Sequence, residues 1–454
     1  VSDRDIEQRA LDDLLSSFRE AGQMDSQGSF TMAGRKAAGK LAQSLLPEPA
    51  DWILKVVQGA CRAQAPALSI SQTRRATHVE FQLPYLLDIQ AFEASLTQGS
   101  TSYQSGIDEL STALRVLGLG QQRSWVARLR GAETTTWVLV KDGEASLETV
   151  AERAGETGVT EVLIGIAFPP GQTGKVGGLV RFGAAVQHEH EALSVRARAC
   201  PIPLLLDGER LDTLQRESTL ESFEHEAFLG VAFGQEPQLA PLAPPGGLQE
   251  SELGRWRDRF TDPRPYFVPS PPVAGCSSVL RVAFRYQRER HTRGERLRAF
   301  RPLPTSSRVL LLRHGVVVGK RNLGISEPIA VDVYLNGDQV RSDLSGLAVE
   351  VQPEHVQAAR QELRGLGGFL TVLESRLEAH VCRPRPSEVV GYTGLSALAL
   401  LLTPWPIKLL TLGGSAFQLH AASQQYRRLV RDCTDQVRLF HQRHCQSSSP
   451  LPIG

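Results

Sequence analysis

DWILKVVQGACRAQAPALSISQTRRATHVEF, residues 51–81, is the stretch that decides the fold. Ile53, Val56, Val57, Ala60 and Cys61 fall at i, i+3, i+4, i+7 and i+8, which predicts a helix with one apolar face. Asp51, just after Pro47 and Pro49, suits the N-cap of that helix. Lys55, Gly59 and Arg62, at i, i+4 and i+7, share the opposite face, where two solvated charges are expected. Two strand-like runs follow, Ala67–Ser71 and Thr77–Leu83.

Outward from this core, helices are expected at 89–97 and 104–117 and strands at 124–129 and 136–140, so that the helix 51–63 lies across one mixed sheet. On the N-terminal side, 3–21 and 33–45 read as helices. The apolar run 160–168, a helix at 174–191 and a strand at 203–206 are assigned to a second α/β unit. A Pro/Gly-rich connection, 235–275, leads to strands at 278–286, 309–312, 316–318 and 329–334, and the pattern is helical from Pro353. The fold class is α/β (α+β), with an N-terminal domain over 1–150, a middle domain over 151–352 and a helical region over 353–454.

The stretch 51–81 resembles the GHKL superfamily of gyrase, heat-shock ATPase chaperones, histidine kinases and MutL. There a helix reading E-x-x-x-N-A-x-D-A leads into a strand pair and lines the ATP pocket. Lys55-Val-Val-Gln-Gly59-Ala60-Cys-Arg62-Ala63 occupies the same frame. The run LSTALRVLGLGQQRSWVARLR (110–130) is similar to the later helix and strand of that fold. The stretch after Thr160, and IAVDVYLNGDQVRSDLSGLAVEV (329–351) with its DLSG turn, resemble the chaperones' middle domain.

The resemblance implies a nucleotide pocket whose motifs have decayed. The family has a general-base Glu where Lys55 stands and a magnesium-binding Asn where Gly59 stands. A lysine takes no proton from water at neutral pH unless its pKa is strongly depressed. A glycine offers a hard cation no side-chain oxygen. In place of the family's D-x-G-x-G stands Phe81-Gln82-Leu83-Pro84-Tyr85, and Asp88, a shifted substitute, has no flanking glycines. The degenerate cofactor positions are therefore Lys55, Gly59, Arg62 and Asp88. No cofactor is expected, with ATP left open because two cations can neutralise phosphates without a metal.

Other motifs are weaker. Gly171-Gln-Thr-Gly174-Lys175-Val176 misses the P-loop at Pro169 and Val176. His188 and His190 point to different helix faces. His441 and Cys445 stand at metal-sharing spacing, but no second cluster completes a set, so no metal is expected. Residues 281–301 hold eight Arg against two Glu in an expected hairpin. Arg281, Arg285, Arg288, Arg290, Arg293, Arg296 and Arg298 are its interaction candidates, toward phosphates of nucleic acid or of an anionic membrane surface or a partner's carboxylates, against a solvated sheet face paired to local acids.

Residues 391–416 form the strongest apolar run, interrupted by Pro404, Pro406 and Lys408. Two short buried helices fit it, with membrane contact as the competing reading. Tyr426, Val430, Cys433, Val437 and Phe440 are spaced 4, 3, 4, 3, a seam that predicts packing on another helix, within the chain or in a homo-oligomer.

The chain's 454 residues suffice for a large core without disulfides. With 50 Lys and Arg against 49 Asp and Glu, no global field favours nucleic acid. Six scattered cysteines and a charged VSDRDIEQRALDDLL start point to the cytoplasm, with peripheral membrane attachment as the variant. The reading is a non-hydrolysing scaffold or chaperone-like protein with a protein partner, against an ATP-binding enzyme of the same fold or a membrane-anchored protein.

Overall fold

The computed structural model describes residues 45–73, 76–98, 104–131, 133–141, 144–151, 158–167, 176–212, 214, 224–233, 279–288, 300–338, 340–343, 345–378, 424 and 427–446. The segment 391–416, the N-terminal helices expected within 1–44, the Gly171–Lys175 turn and Arg290, Arg293, Arg296 and Arg298 lie outside these residues.

A single 3-10 turn, Pro49–Asp51, leads into helix α1, Trp52–Arg62. Asp51 does not cap it through its side chain. Instead the buried Asp51 carboxylate accepts the Glu48 backbone N–H at 3.3 Å and pairs with Arg196 at 3.2 Å. Burial raises its pKa above the ordinary value, against the pull of Arg196. Every α1 residue from Trp52 to Ala60 is buried. Lys55 is thus buried, contrary to the expectation of a solvated charge, while Arg62 at the end of the same face is exposed as expected.

After α1 come β1 (Leu68–Gln72), β2 (Ala76–Leu83), α2 (Ile89–Gln98) and α3 (Ile107–Arg115), which runs on as a π-helical turn, Val116–Gly120. Then follow β3 (Trp125–Arg130), β4 (Thr134–Lys141), β5 (Glu144–Ala151), β6 (Thr160–Ala167), α4 (Val176–Arg196), β7 (Leu204–Leu206) and β8 (Glu209–Arg210). One eight-stranded sheet holds them in the order β5-β4-β3-β6-β2-β1-β7-β8. Its pairs are antiparallel except β1 with β7.

The strands 160–167 and 204–206 therefore belong to the first sheet, not to a second unit. β6 is an inner strand, with Val79 opposite Ile164 on one side and Ala127 opposite Ile164 on the other. Val162, Ile164 and Ile166 point into the core while Glu161, Leu163 and Gly165 face outward, half-buried. The first sheet thus draws its strands from Leu68 to Arg210.

The second sheet is built from β9 (Glu224–Phe233), β10 (Val279–Arg288), β11 (Phe300–Pro302), β12 (Thr305–Arg313), β13 (Val316–Glu327) and β14 (Ile329–Asn336). Its path is β11-β10-β14-β12-β13, with β9 also on β10. The return strand of the expected hairpin is present, β11 antiparallel to β10 with Gln287 opposite Arg301, while the expected turn near Arg293 lies outside the described residues. Helix α5 (Pro353–Gly365) packs on β12, β13 and β14, and α6 (Gly367–Glu378) packs on β9. A further helix, α7, spans 427–444.

Val430, Cys433, Val437 and Phe440 of α7 are all buried, so these four members of the expected seam are covered by the chain itself; Tyr426 lies outside the described residues. Arg438 pairs with Glu374 and Glu378 of α6 at 2.6 and 2.7 Å, and His444 meets Glu327 of β13 at 3.0 Å. Among the described residues no helix is long and apolar enough to cross a membrane.

Candidate functional site

Helix α1 carries Lys55, Gly59 and Arg62; the first two are buried and the third is exposed. Lys55 is only 7 % exposed, and its Nζ donates to Gln58 Oε1 at 2.9 Å. Burial pushes its pKa down to about 8, with Glu109 pulling it up and Arg313 and Arg62 pushing it down. The cover over Lys55 comes from the second sheet's side. The Gln58 amide donates to the carbonyls of Arg313 and Gly346, each at 3.3 Å.

Gly346 ends the DLSG turn and has φ +65, a conformation open to glycine. A Cβ on it would lie 3.1 Å from Lys55 Nζ. The turn is held by Asp343, which accepts from Ser345 Oγ at 2.6 Å and from the Ala348 backbone N–H at 3.2 Å. Arg313 is anchored beside it on Ser342 Oγ.

Gly59 is where α1 and α3 touch. A Cβ there would sit 2.9 Å from the Gly106 carbonyl oxygen and 3.3 Å from the Leu110 nitrogen. Gly106 itself has φ +88 as the residue preceding α3. Arg62, next along the same face, pairs with Glu109 of α3 at 2.8 Å, and its carbonyl accepts from Ser105 Oγ at 2.8 Å. Asp88 caps α2: its Oδ1 accepts the Ala91 N–H at 3.0 Å, while its own N–H donates to Gln104 Oε1 at 3.0 Å.

The structure therefore packs Lys55 against the 313–346 region and Gly59 against α3, leaves Arg62 exposed in its ion pair with α3, and gives Asp88 a helix-capping role. A lysine with a pKa near 8 meets half the requirement for a general base. The other half, access for a reactant, is not met at a nitrogen buried against Gln58 and Gly346. Among the described residues no three His, Cys, Asp or Glu side chains group to hold a metal ion.

The arginine cluster divides. Arg281 of β10 is fully buried and pairs with Asp332 of β14 at 3.2 Å, so it is a core ion pair and not part of a surface for partners. Arg308 of β12 grips the same carboxylate at 2.9 and 3.0 Å. Burial opposes the charge on Arg308, and Asp332 outweighs it, leaving its pKa above the ordinary value. The three residues form one cross-strand row, Arg281 opposite Asp332 and Arg308 opposite Asp332. Arg285 is half-buried, and Arg288 ends β10.

Glu189 is the polar centre that the sequence reading passed over. It is 2 % exposed on α4 and accepts from Trp52 Nε1 at 3.0 Å, Arg123 Nη1 at 2.7 Å, Gln72 Nε2 at 2.9 Å and Thr77 Oγ1 at 3.2 Å. The Arg123 guanidinium also lies over the Trp52 ring, 5.5 Å from its centroid. One carboxylate so ties α1, β1, β2 and the segment before β3 to α4.

The fold is a helix-backed mixed sheet followed by a second sheet and its helices. No family model and no curated protein matches the sequence. Among solved structures, the chain is similar to the N-terminal domain of a DNA repair protein, at 7% identity over 72% of this chain and 96% of that one, with a TM-score of 0.36. It is similar to the ATPase domain of the mismatch repair endonuclease MutL from Aquifex aeolicus, at 12% identity over 63% and 89%, with a TM-score of 0.29. It is also similar to the B-subunit of the DNA gyrase from Myxococcus xanthus, at 13% identity over 70% and 88%, with a TM-score of 0.38.

Proposed function

We propose that this chain is a non-hydrolysing protein on a GHKL-like fold, serving as a scaffold or chaperone-like platform for a protein partner. The observation that carries the reading is the contact of Gly59 with Gly106. At the position where the resemblance calls for a magnesium-binding Asn, a Cβ alone would come within 2.9 Å of a backbone oxygen. The neighbouring Lys55 and Arg62 are committed to Gln58 and Glu109. The pocket wall of an ATPase has become a seam between two helices and between two sheets.

The test is nucleotide calorimetry and phosphate release on the full chain with ATP and magnesium. Neither binding nor turnover is expected above background. Magnesium-dependent turnover that disappears in Arg62→Ala would instead make the chain an ATPase using this same helix.

A further inference from the structure

Cys61, at the end of α1, and Cys200, in the connection between α4 and β7, are 139 positions apart in sequence, yet their sulfurs lie 3.3 Å apart. Both are free thiols, Cys61 half-buried and Cys200 buried. The turn between β12 and β13 closes over them: a Cβ on Gly315 would stand 2.8 Å from Cys61 Sγ and 3.3 Å from Cys200 Cα. Gly315 has φ +79, so the turn keeps its shape and its clearance only with glycine there.

We propose that Cys61 and Cys200 are a redox pair that closes to a disulfide when a peroxide reaches the folded chain. A disulfide bond is about 2.05 Å long, so the two sulfurs need to approach by roughly 1.2 Å from their 3.3 Å separation. Cys61 is the more accessible of the two and is the first to react. Its thiolate attacks one peroxide oxygen, the O–O bond breaks, and hydroxide leaves, giving a sulfenic acid. The Cys200 thiolate then attacks Cys61 Sγ, the S–O bond breaks, and a second hydroxide leaves. The two thiol protons end in two waters, peroxide is reduced, and the sulfurs are oxidised to the disulfide.

Burial, and then the hydrogen bond with Cys200, push the Cys61 thiol well above its ordinary range. Its thiolate is therefore scarce, and the pair stays reduced until an oxidant persists. Once formed, the bond ties the end of α1 to the α4–β7 connection directly beneath the turn from the second sheet. It also closes a long loop in the unfolded chain, which favours the folded state.

The experiment oxidises the native full chain with hydrogen peroxide, quenches, unfolds, and alkylates before and after reduction, followed by peptide mapping. Expected is a linked pair of peptides carrying Cys61 and Cys200, lighter by two hydrogens, with both cysteines alkylated only after reduction. The oxidised chain should melt at a higher temperature than the reduced one. Cys61→Ser and Cys200→Ser should each abolish the linked peptide. Should either variant fail to fold, the map of the unaltered chain decides alone. Both cysteines alkylated without reductant would overturn the proposal. So would Cys61 driven to sulfinic acid beside a free Cys200, or a link that forms only when oxidation is done in denaturant.

Discussion

The side-chain amide of Gln58 reaches the carbonyl oxygen of Gly346 at 3.3 Å, joining α1 of the first sheet's unit to a turn of the second. That bond sits beside Lys55, whose Nζ holds the Gln58 side-chain carbonyl oxygen while the Gln58 amide bridges to the second sheet. Arg196 reinforces the junction from α4, bonding the Val317 carbonyl at 2.9 Å and the Leu347 carbonyl while it pairs with Asp51. The sheets are thus joined through the polar face of α1 and the end of α4.

Gly59→Ala should destabilise the chain although alanine is the better helix former. The gain in helix propensity is about 1 kcal/mol. Against it stands a Cβ 2.9 Å from the Gly106 carbonyl oxygen, backbone that cannot rotate away, and overpacking of this kind costs about 1–3 kcal/mol. Gly59→Asn should be worse. Urea denaturation measures both, and an asparagine variant as stable as the parent would mean that space for a side chain exists there after all.

Lys55 gives the stability a pH dependence whose sign can be worked out. Its folded pKa is about 8, below the ordinary 10.5. Between these values the unfolded chain holds a proton that the folded chain has released, so stability rises as pH increases through this window. The drop is equivalent to about 3 kcal/mol at most, an order-of-magnitude figure. Lys55→Met should flatten the rise between pH 8 and 10.5 relative to the parent and gain stability at pH 7. Denaturation midpoints measured across that window check it. Parallel curves for the two proteins would show that the lysine is solvated.

Glu189→Ala should rank among the most damaging single changes. It would strip Trp52, Gln72 and Thr77 of a shared acceptor and leave the buried Arg123 charge without its partner at 2.7 Å. Breaking a buried pair in this way costs about 3–5 kcal/mol. His188→Ala, on the exposed neighbour, should stay within about 0.5 kcal/mol of the parent. Thermal melts of the two variants side by side read the contrast, and similar small losses for both would mean that the hub contributes little.

What was legible in the sequence was local. The 3.6 spacing of Ile53, Val56, Val57 and Ala60 marked α1, and alternation marked β2, because both patterns are written in adjacent residues. What was missed depends on distant partners. β6 looks the same whether it joins β2 and β3 or starts another sheet, since pairing is set by residues 31 to 91 positions away. Arg281 alternates like a surface residue, and only Asp332, 51 positions on, makes its burial tolerable. The strand β9, EHEAFLGVAF, was not expected at all, its charged start hiding the apolar end that pairs with β10. At the candidate site the residue types were legible, but not that Gly106 and the DLSG turn would close on them.

Phe440→Ala should unfold the C-terminal helix from its own chain rather than dissociate two chains. Phe440 and Val437 are fully buried, and α7 is anchored along its length inside the same molecule. Arg438 holds Glu374 of α6, Cys445 Sγ donates to the Leu363 carbonyl at the end of α5, and Arg443 and His444 hold Glu327 of β13. Removing the ring deletes apolar contacts on a surface already covered by the monomer, at a cost of about 3–5 kcal/mol. Sedimentation of parent and variant should give the same mass per particle, while the variant melts earlier. Leu439→Ser, on the outward side of α7 with the leucine 38 % exposed, should change neither. A folded variant of half the parent's mass would instead assign the seam to a contact between copies, and the helix would then mark an oligomer interface.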